Sequence, residues 1–261
     1  MTKSPEYFLE CTGCSSIIRE AKSYSCPHCG DLLQIRYDLR SVKDKFRSAL
    51  DKGGGLSVWR YRALLPISSS DVVTIGEGGT GLPHSSYLSQ ELCVRELYFK
   101  NEGQNPTGSF KDRGMTVAIT RALEIGVKSV ICASTGNTSA SMAAYAAKAG
   151  MKAIVLIPKG KIAKGKLLQA NIHGARIVEV KGNFDRALTK AKHMTEKRKD
   201  LYLVNSVNPY RIEGQKTSAF EIWEQLERRV PDYVFVPVGN AGNISAIWKG
   251  FRENSLGSLR C

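Results

Sequence analysis

The sequence predicts an α/β protein built on an open parallel sheet. Short segments rich in Val and Ile (129–132, 153–157, 176–180, 201–204 and 233–238) read as strands buried on both faces. Between them lie segments with helical period, at 109–125, 138–149, 161–172, 184–199 and 209–229, and a strand–helix alternation of this kind builds a parallel sheet. The chain has 261 residues, of which 42% are hydrophobic, enough for one large domain or two smaller ones.

Upstream of this region, residues 11–29 read Cys11-x2-Cys14-x11-Cys26-x2-Cys29. Each CxxC turn can present two thiolates to one tetrahedral ion, and two such turns close a four-cysteine site with no position left for water. Zinc suits the set best and iron also meets its chemistry; a redox pair, or a ribbon that has lost its ion, is the competing reading. His28 is expected to be a bystander, and folding of this small ribbon to be coupled to the metal. Cys93 and Cys132 lie in apolar surroundings and are expected in the core, while Cys261 is the last residue. The N-terminus, MTKSPEYFLECTGC, lacks the basic-then-apolar profile of a signal peptide, and no apolar run is long enough to span a membrane. These features predict a cytoplasmic protein without membrane contact, in which structural disulfides are not expected.

Residues 37–50 predict a short helix, Lys52-Gly53-Gly54-Gly55 a flexible break, and Trp59, Tyr61, Leu64 and Leu65 an anchor to the main core. In residues 71–81, Gly76, Gly78 and Gly81 match the GxGxxG dinucleotide fingerprint. Leu82-Pro83-His84 opens no helix packed on the preceding strand, and no ribose-binding acid follows in a βαβ unit, so the fingerprint lacks its context. The P-loop pattern fails as well, because Leu82 stands where its lysine belongs.

Residues 101–115 carry the polar loop Asn105-Pro106-Thr107-Gly108, then Ser109-Phe110-Lys111 and an amphipathic helix, with Ser109 as candidate N-cap and Asp112 in the first turn. A cation at Lys111 opposes the helix dipole, a penalty that a neutral amine or an imine avoids. A capped helix with a solvated lysine is the plainer reading. Residues 133–143 place hydroxyls, an amide and backbone N–H groups at a helix start after a strand, which makes an anion site. In residues 204–217, Asn205, Ser206 and Arg211 would surround a phosphate, or else form a polar loop with Pro209 at the first helical position. Gly239-Asn240-Ala241-Gly242-Asn243 follows a strand and starts a helix, a binding position in open α/β sheets.

The formal net charge is +14. Such an excess suits nucleic acid, or an anionic substrate together with solvated helix faces. In residues 190–199 the lysines lie opposite Ala187, Leu188, Ala191 and Met194, the pattern of a solvated face, so a small-molecule partner is favoured over nucleic acid. After Phe251 no strand or buried face is predicted.

Asn-Pro-Thr-Gly-Ser-Phe-Lys-Asp-Arg-Gly at 105–114 resembles the lysine segment of fold-type-II pyridoxal-phosphate (PLP) enzymes and, within them, of the threonine synthase family. The resemblance extends through the Asn137 loop, the 204–217 run and the 239–243 loop. It implies two open α/β sheets of the tryptophan synthase β-like kind after a zinc ribbon. Its division of the chain is ribbon and linker at 1–50, a PLP-binding domain at 51–112 and 209–261, and a small α/β domain at 113–208. It also implies that Lys111 bonds the PLP and shuttles protons. Asn137 would lie beside the ring oxygen, and Gly239, Asn240, Ala241, Gly242 and Asn243 would hold the cofactor phosphate. Ser134, Thr135 and Thr138 would hold the substrate carboxylate. Asn205, Ser206 and Arg211, with Thr138 and Asn243, would hold a substrate phosphate. The implied reaction turns a phosphorylated amino acid, O-phospho-L-homoserine, and water into L-threonine and phosphate. Two departures stand out. Gly81 replaces a proline, which is expected to loosen its loop, and the family's later strands with their ring-nitrogen partner are missing, so the chain is expected to be C-terminally incomplete. A related PLP lyase such as a cysteate synthase, an inactive form, a nucleic-acid-binding ribbon protein and a homodimeric assembly are left open by the sequence.

Overall fold

The computed structural model describes residues 7–19, 22, 24–160 and 164–254. The first unit is a three-stranded antiparallel sheet of order β2-β1-β3, made of β1 (Tyr7–Cys11), β2 (Ile17–Ile18) and β3 (Leu33–Tyr37). Leu9 pairs with Ile35 in register, and Leu33, Ile35 and Tyr37 alternate inward along β3 while Arg36 faces solvent. Helix α1 (Leu39–Asp51) follows at once, because the Asp38 carboxylate accepts from the Arg40 N–H and caps it. Val42, Phe46 and Leu50 recur every fourth residue and form its buried stripe. Phe46 reaches Tyr61 and Phe220, at ring centroid distances of 6.4 and 5.5 Å, so the expected anchor forms on the 3-10 turn Val58–Leu64.

The second unit is a four-stranded parallel sheet of order β6-β5-β4-β7. Its strands are β4 (Ser129–Ala133), β5 (Lys152–Pro158), β6 (Arg176–Val180) and β7 (Leu201–Leu203). Side chains alternate between its two faces. Val130, Cys132, Val155 and Ile157 join the larger core with α3 (Lys111–Glu124) and α4 (Asn137–Lys148). Ile131, Ala133, Leu156 and Leu203 pack with Ala187 and Ala191 of α6 (Phe184–Lys197). Leu188 and Met194 pack there too, which leaves Lys190, Lys192 and Lys197 exposed as the charge pattern requires. Helix α5 (Lys164–Ile172) completes the layer, and residues 161–163 of the predicted 161–172 helix lie outside the described residues.

Several expectations are corrected. Cys132 is buried, but Cys93 is exposed, in a turn after α2 (Ser86–Glu91) with φ of +51°. The single helix expected at 209–229 is two, α7 (Pro209–Gln215) and α8 (Thr217–Gln225). At the junction Thr217 Oγ1 and Ser218 Oγ donate to the Gly214 and Gln215 carbonyls and compete with the helical ladder. Glu227 and Arg228 then adopt φ of +55° and +65° and turn the chain away. Residues 233–238 form no strand. A strand needs a partner, and among the described residues none runs beside them, so Tyr233 and Phe235 stay 81% and 89% exposed. The helical pattern also outlasts Phe251: α9 (Gly242–Asn254) ends on a buried Asn254, while Cys261 lies outside the described residues.

Helices α3 and α7 cross backbone to backbone. A Cβ on Gly214 would stand 1.8 Å from the Arg113 carbonyl oxygen, and one on Gly114 would stand 2.6 Å from that of Arg211. Only glycine permits this approach, which brings the helix of Lys111 against that of Arg211. Gly214→Ala should therefore destabilise the fold by about 3 kcal/mol or more through overpacking. Gly165→Ala, in a helix with no atom within 4 Å of the added Cβ, should gain about 0.5–1 kcal/mol. Urea unfolding of the two variants checks both signs.

Candidate active site

The loop before α3 is held by its buried polar groups. Asp112 does not face the dipole from the helix surface as a first-turn acid would. Its carboxylate is fully buried and accepts from Thr107 N (2.7 Å), Thr107 Oγ1 (2.7 Å) and Ser141 Oγ of α4 (2.5 Å). Lys166 Nζ donates to the Thr107 carbonyl at 2.9 Å, so α5 also grips the loop. Asn105 Oδ1 accepts from Gly78 N at 3.0 Å, which joins the glycine-rich stretch to the lysine loop. That stretch opens no helix, and its Gly81 N–H donates to Gln104 Oε1 at 2.6 Å. A proline could not make this bond, so the glycine fixes the loop where loosening was expected. By backbone geometry Phe110 is the N-cap, while Ser109 Oγ accepts from the Lys111 N–H at 3.2 Å.

Lys111 is half-buried, with Nζ 4.0 Å from the Phe110 ring centroid. Burial, and then the positive charge of Arg211, push its ammonium down to about 8. Arg211 is 2% exposed and donates from Nη1 to the Val204 carbonyl at 3.1 Å, while its Nε has no partner. Burial pushes the guanidinium down to about 10, and no carboxylate pairs with it among the described residues. A buried cation without an anion is costly, and the lack of one favours an anionic ligand.

The other predicted residues converge at the carboxyl ends of β4 and β7. Asn205 brackets Ala133 with two 2.9 Å hydrogen bonds, Oδ1 accepting from its N–H and Nδ2 donating to its carbonyl. One Nδ2–H of Asn205 is left over. Ser134 Oγ accepts from Gly136 N at 3.1 Å, and α4 begins at Asn137, one residue earlier than expected. Ser134, Thr135, Asn137 and Thr138 are half-buried at this helix N-terminus, and Asn137 Oδ1 is shielded from solvent without a partner. Asn208 caps α7 by accepting from Tyr210 N at 3.0 Å, with Pro209 in the first turn as read.

Residues 239–243 lead into α9. Ala241 has φ of +59°, and Asn240 Oδ1 accepts from Gly242 N at 3.3 Å. Lys111, Phe110, Gly239, Asn240, Ala241 and Asn243 line one cavity of about 310 Å³, within the range of small-ligand sites. Asn137, Asn205 and Arg211 do not line it. Ser206 instead lines a groove of about 1010 Å³ that also reaches Asn240, Ala241 and Gly242, so the two cavities meet at that turn.

The four cysteines form a separate cluster whose sulfurs lie within 4.8 Å of one another. Cys11–Cys29, Cys14–Cys26 and Cys14–Cys29 are 3.3, 3.6 and 3.6 Å apart, near the ~3.8 Å edge of a tetrahedron with ~2.3 Å metal–sulfur bonds. Backbone N–H groups of Gly13 and Cys14 point at Cys11 Sγ, and that of His28 at Cys26 Sγ, all at 3.4 Å. Such a set can hold a metal ion, and His28 is not part of it. No helix among the described residues is long and apolar enough to cross a membrane.

Sequence reading missed the clamp of Asp112, a buried ion network and a hydrogen-bond network around Glu77. Arg113 pairs with Glu221 at 2.7 Å and Glu102 at 2.6 Å, and Lys100 with Glu221 at 2.8 Å. Glu77 accepts from Tyr145 Oη at 2.6 Å and Trp59 Nε1 at 3.1 Å. The one available signal was charge at positions where helical period demands apolar residues, such as Arg113, Glu213 and Glu221.

Residues 73–261 match the family model described as pyridoxal-phosphate dependent enzyme. The threonine synthase of Methanocaldococcus jannaschii is 58% identical over 231 residues, 88% of this chain and 56% of its own. That of Methanosarcina acetivorans is 50% identical over 251 residues, 95% of this chain and 60% of its own. The chain thus spans under two thirds of the length of these relatives. Among solved structures, the processed form of threonine deaminase isoform 2 from Solanum lycopersicum superposes with a TM-score of 0.58 at 29% identity, covering 68% of this chain and 51% of that one. Maize serine racemase does so with a TM-score of 0.57 at 27% identity, covering 66% and 51%. The depressed lysine, the glycine turn beside it and these matches agree: the chain belongs to the pyridoxal-phosphate dependent enzyme family.

Proposed function

We propose that the chain carries the threonine synthase reaction, in which O-phospho-L-homoserine and water give L-threonine and inorganic phosphate, with PLP bound at Lys111. The observation that carries this reading is Lys111 lining one cavity with the 239–243 turn, near a buried Arg211 that has no carboxylate partner among the described residues. Identities of 58% and 50% to two threonine synthases support the choice of reaction.

Lys111 and the 239–243 turn fit the cofactor, since they line one cavity of small-ligand size, while Asn137 stands outside its lining. Asn137 offers an unpartnered amide oxygen, and the 239–243 turn offers backbone N–H groups at the start of α9. In this reading Gly239, Asn240, Ala241, Gly242 and Asn243 hold the cofactor phosphate and Asn137 orients the ring. Bound PLP supplies an electron sink for charge developed on substrate carbon. Ser134, Thr135 and Thr138 hold the substrate carboxylate at the α4 N-terminus. Lys111, neutral in part near pH 7, accepts the proton from the substrate Cα and returns protons along the chain. Arg211, Ser206 and the remaining Nδ2–H of Asn205 bind the phosphate and offset its charge as it leaves. We read 51–112 and 209–261 as two parts of the cofactor domain around the domain 113–208. We read the cysteines as a structural zinc site, and the site of action as cytoplasmic.

Borohydride reduction after PLP addition, with peptide mapping, should label Lys111, and Lys111→Ala should lose both label and turnover. The neutral amine is the reactive form, so labelling should rise with pH around a midpoint of about 8. Arg211→Met removes a cation and should move that midpoint upward; an unmoved midpoint would count against the pairing of the two residues. Arg211→Ala should raise the KM for the phosphorylated substrate about 10-fold or more, by loss of charge-assisted hydrogen bonds of about 1.5–3 kcal/mol. Elemental analysis should find about one zinc per four-cysteine set, and chelation should lower the thermal midpoint.

A further inference from the structure

We infer that the cysteine ribbon positions the active-site helices, and that Tyr37 carries this coupling through Glu213 and Lys249. The inference rests on the reading of Arg211 and the 239–243 turn given above. Tyr37 is the last residue of β3, the ribbon strand in register with β1, which ends at Cys11. Its buried hydroxyl donates to Glu213 Oε2 at 2.7 Å. Lys216 Nζ lies 4.2 Å and Lys249 Nζ 5.4 Å from its ring centroid. Lys249 also donates to the Ile35 carbonyl of the same strand.

These contacts meet a ring of four charges, of which Glu213 and Lys216 are buried and Lys249 and Glu253 half-buried. Glu213 pairs with Lys216 at 2.5 Å and Lys249 at 2.8 Å, while Glu253 pairs with Lys216 at 2.6 Å and Lys249 at 3.1 Å. Burial raises the Glu213 carboxyl, but Lys216 and Lys249 outweigh it and hold it below the usual carboxylate range. Burial lowers Lys249, and Glu213 and Glu253 outweigh that. Glu213 and Lys249 are therefore both held toward their charged forms. Buried ion rings contribute little net stability compared with apolar packing, but they admit one geometry.

That geometry bears on the site. Glu213 lies two residues beyond Arg211 on α7, about 200° round the helix, so the ribbon braces α7 from behind the face that carries Arg211. Lys249 and Glu253 lie on α9, whose first residues are Gly242 and Asn243 of the glycine turn. One tyrosine thus ties the ribbon to the two helices that begin at the proposed phosphate and cofactor contacts. Tyr37 borders the groove that Ser206 shares with the glycine turn, but its hydroxyl is committed to Glu213, so the role inferred for it is positioning.

Tyr37→Phe removes the hydroxyl and keeps the ring and the charge balance. Hydrogen exchange should quicken at least about tenfold in α7 and the first turns of α9 and stay unchanged in β4 and β5. Titration with inorganic phosphate should show binding weakened about five- to tenfold, with the KM for the phosphorylated substrate raised and kcat within about twofold. Cys26→Ser, which disturbs the ribbon from its far end, should produce the same changes. In the double variant the two effects should not add, because both act through one link. Unchanged exchange in Tyr37→Phe, or additive effects in the double variant, would overturn the inference. If the wild-type chain bound no phosphate, the reading of Arg211 would fail, and the exchange data alone would decide the coupling.

Discussion

The rest of the structure depends on the contact between α3 and α7, where two helix backbones meet with no side chain between them at Gly114 and Gly214. An ordinary helix pair keeps its axes 8–10 Å apart through interposed side chains. Glycines remove that spacer, and the contact brings Arg211 close enough for its charge to act on Lys111. Beyond the lysine's own burial, part of its electrostatics therefore follows from a packing event some residues away from it.

Around this crossing the protein buries several charged side chains, among them Arg113, Glu213, Lys216 and Glu221. Arg113 and Glu221 are both fully shielded, and they connect the loop at 100–105 to α8. A second ring, Glu213, Lys216, Lys249 and Glu253, connects α7 to α9 and meets the ribbon at Tyr37. In each case the charges match in number and distance, so the ions stabilise one arrangement and penalise every displaced one. The loop ahead of Lys111 is fixed in the same way on a smaller scale. Asp112 takes three donors, Lys166 grips the Thr107 carbonyl, and Asn105 holds the glycine stretch. Among the described residues the fully buried Arg211 has no carboxylate partner, and this is where the proposed substrate phosphate would lie.

Much of the fold was legible in the sequence because its signals are local. The strands at 129–132, 153–157, 176–180 and 201–204 each carry enough buried Val, Ile or Leu to be found by period and composition. The cysteine spacing was sufficient to bring the four sulfurs together. Misreadings arose where the outcome depended on a distant partner. Residues 233–238 have strand composition but no neighbouring strand among the described residues, and composition alone cannot make a ladder. The 209–229 pattern is helical throughout, yet Thr217 and Ser218 divert its hydrogen bonds. Cys93 sits among apolar neighbours in the sequence and on the surface in the fold.

The sequence by itself determined the class of the fold, the metal-type cysteine set and the residue types at the candidate site, because periodicity, spacing and side-chain chemistry are properties of neighbouring residues. Tertiary structure alone decided the rest. It put Lys111 and the 239–243 turn on one cavity, committed most of the Asn205 amide to Ala133, buried Asp112 as a clamp and set Tyr37 against Glu213. Desolvation and Coulomb interaction depend on distances between residues far apart in the chain, and those distances exist only once the helices have packed.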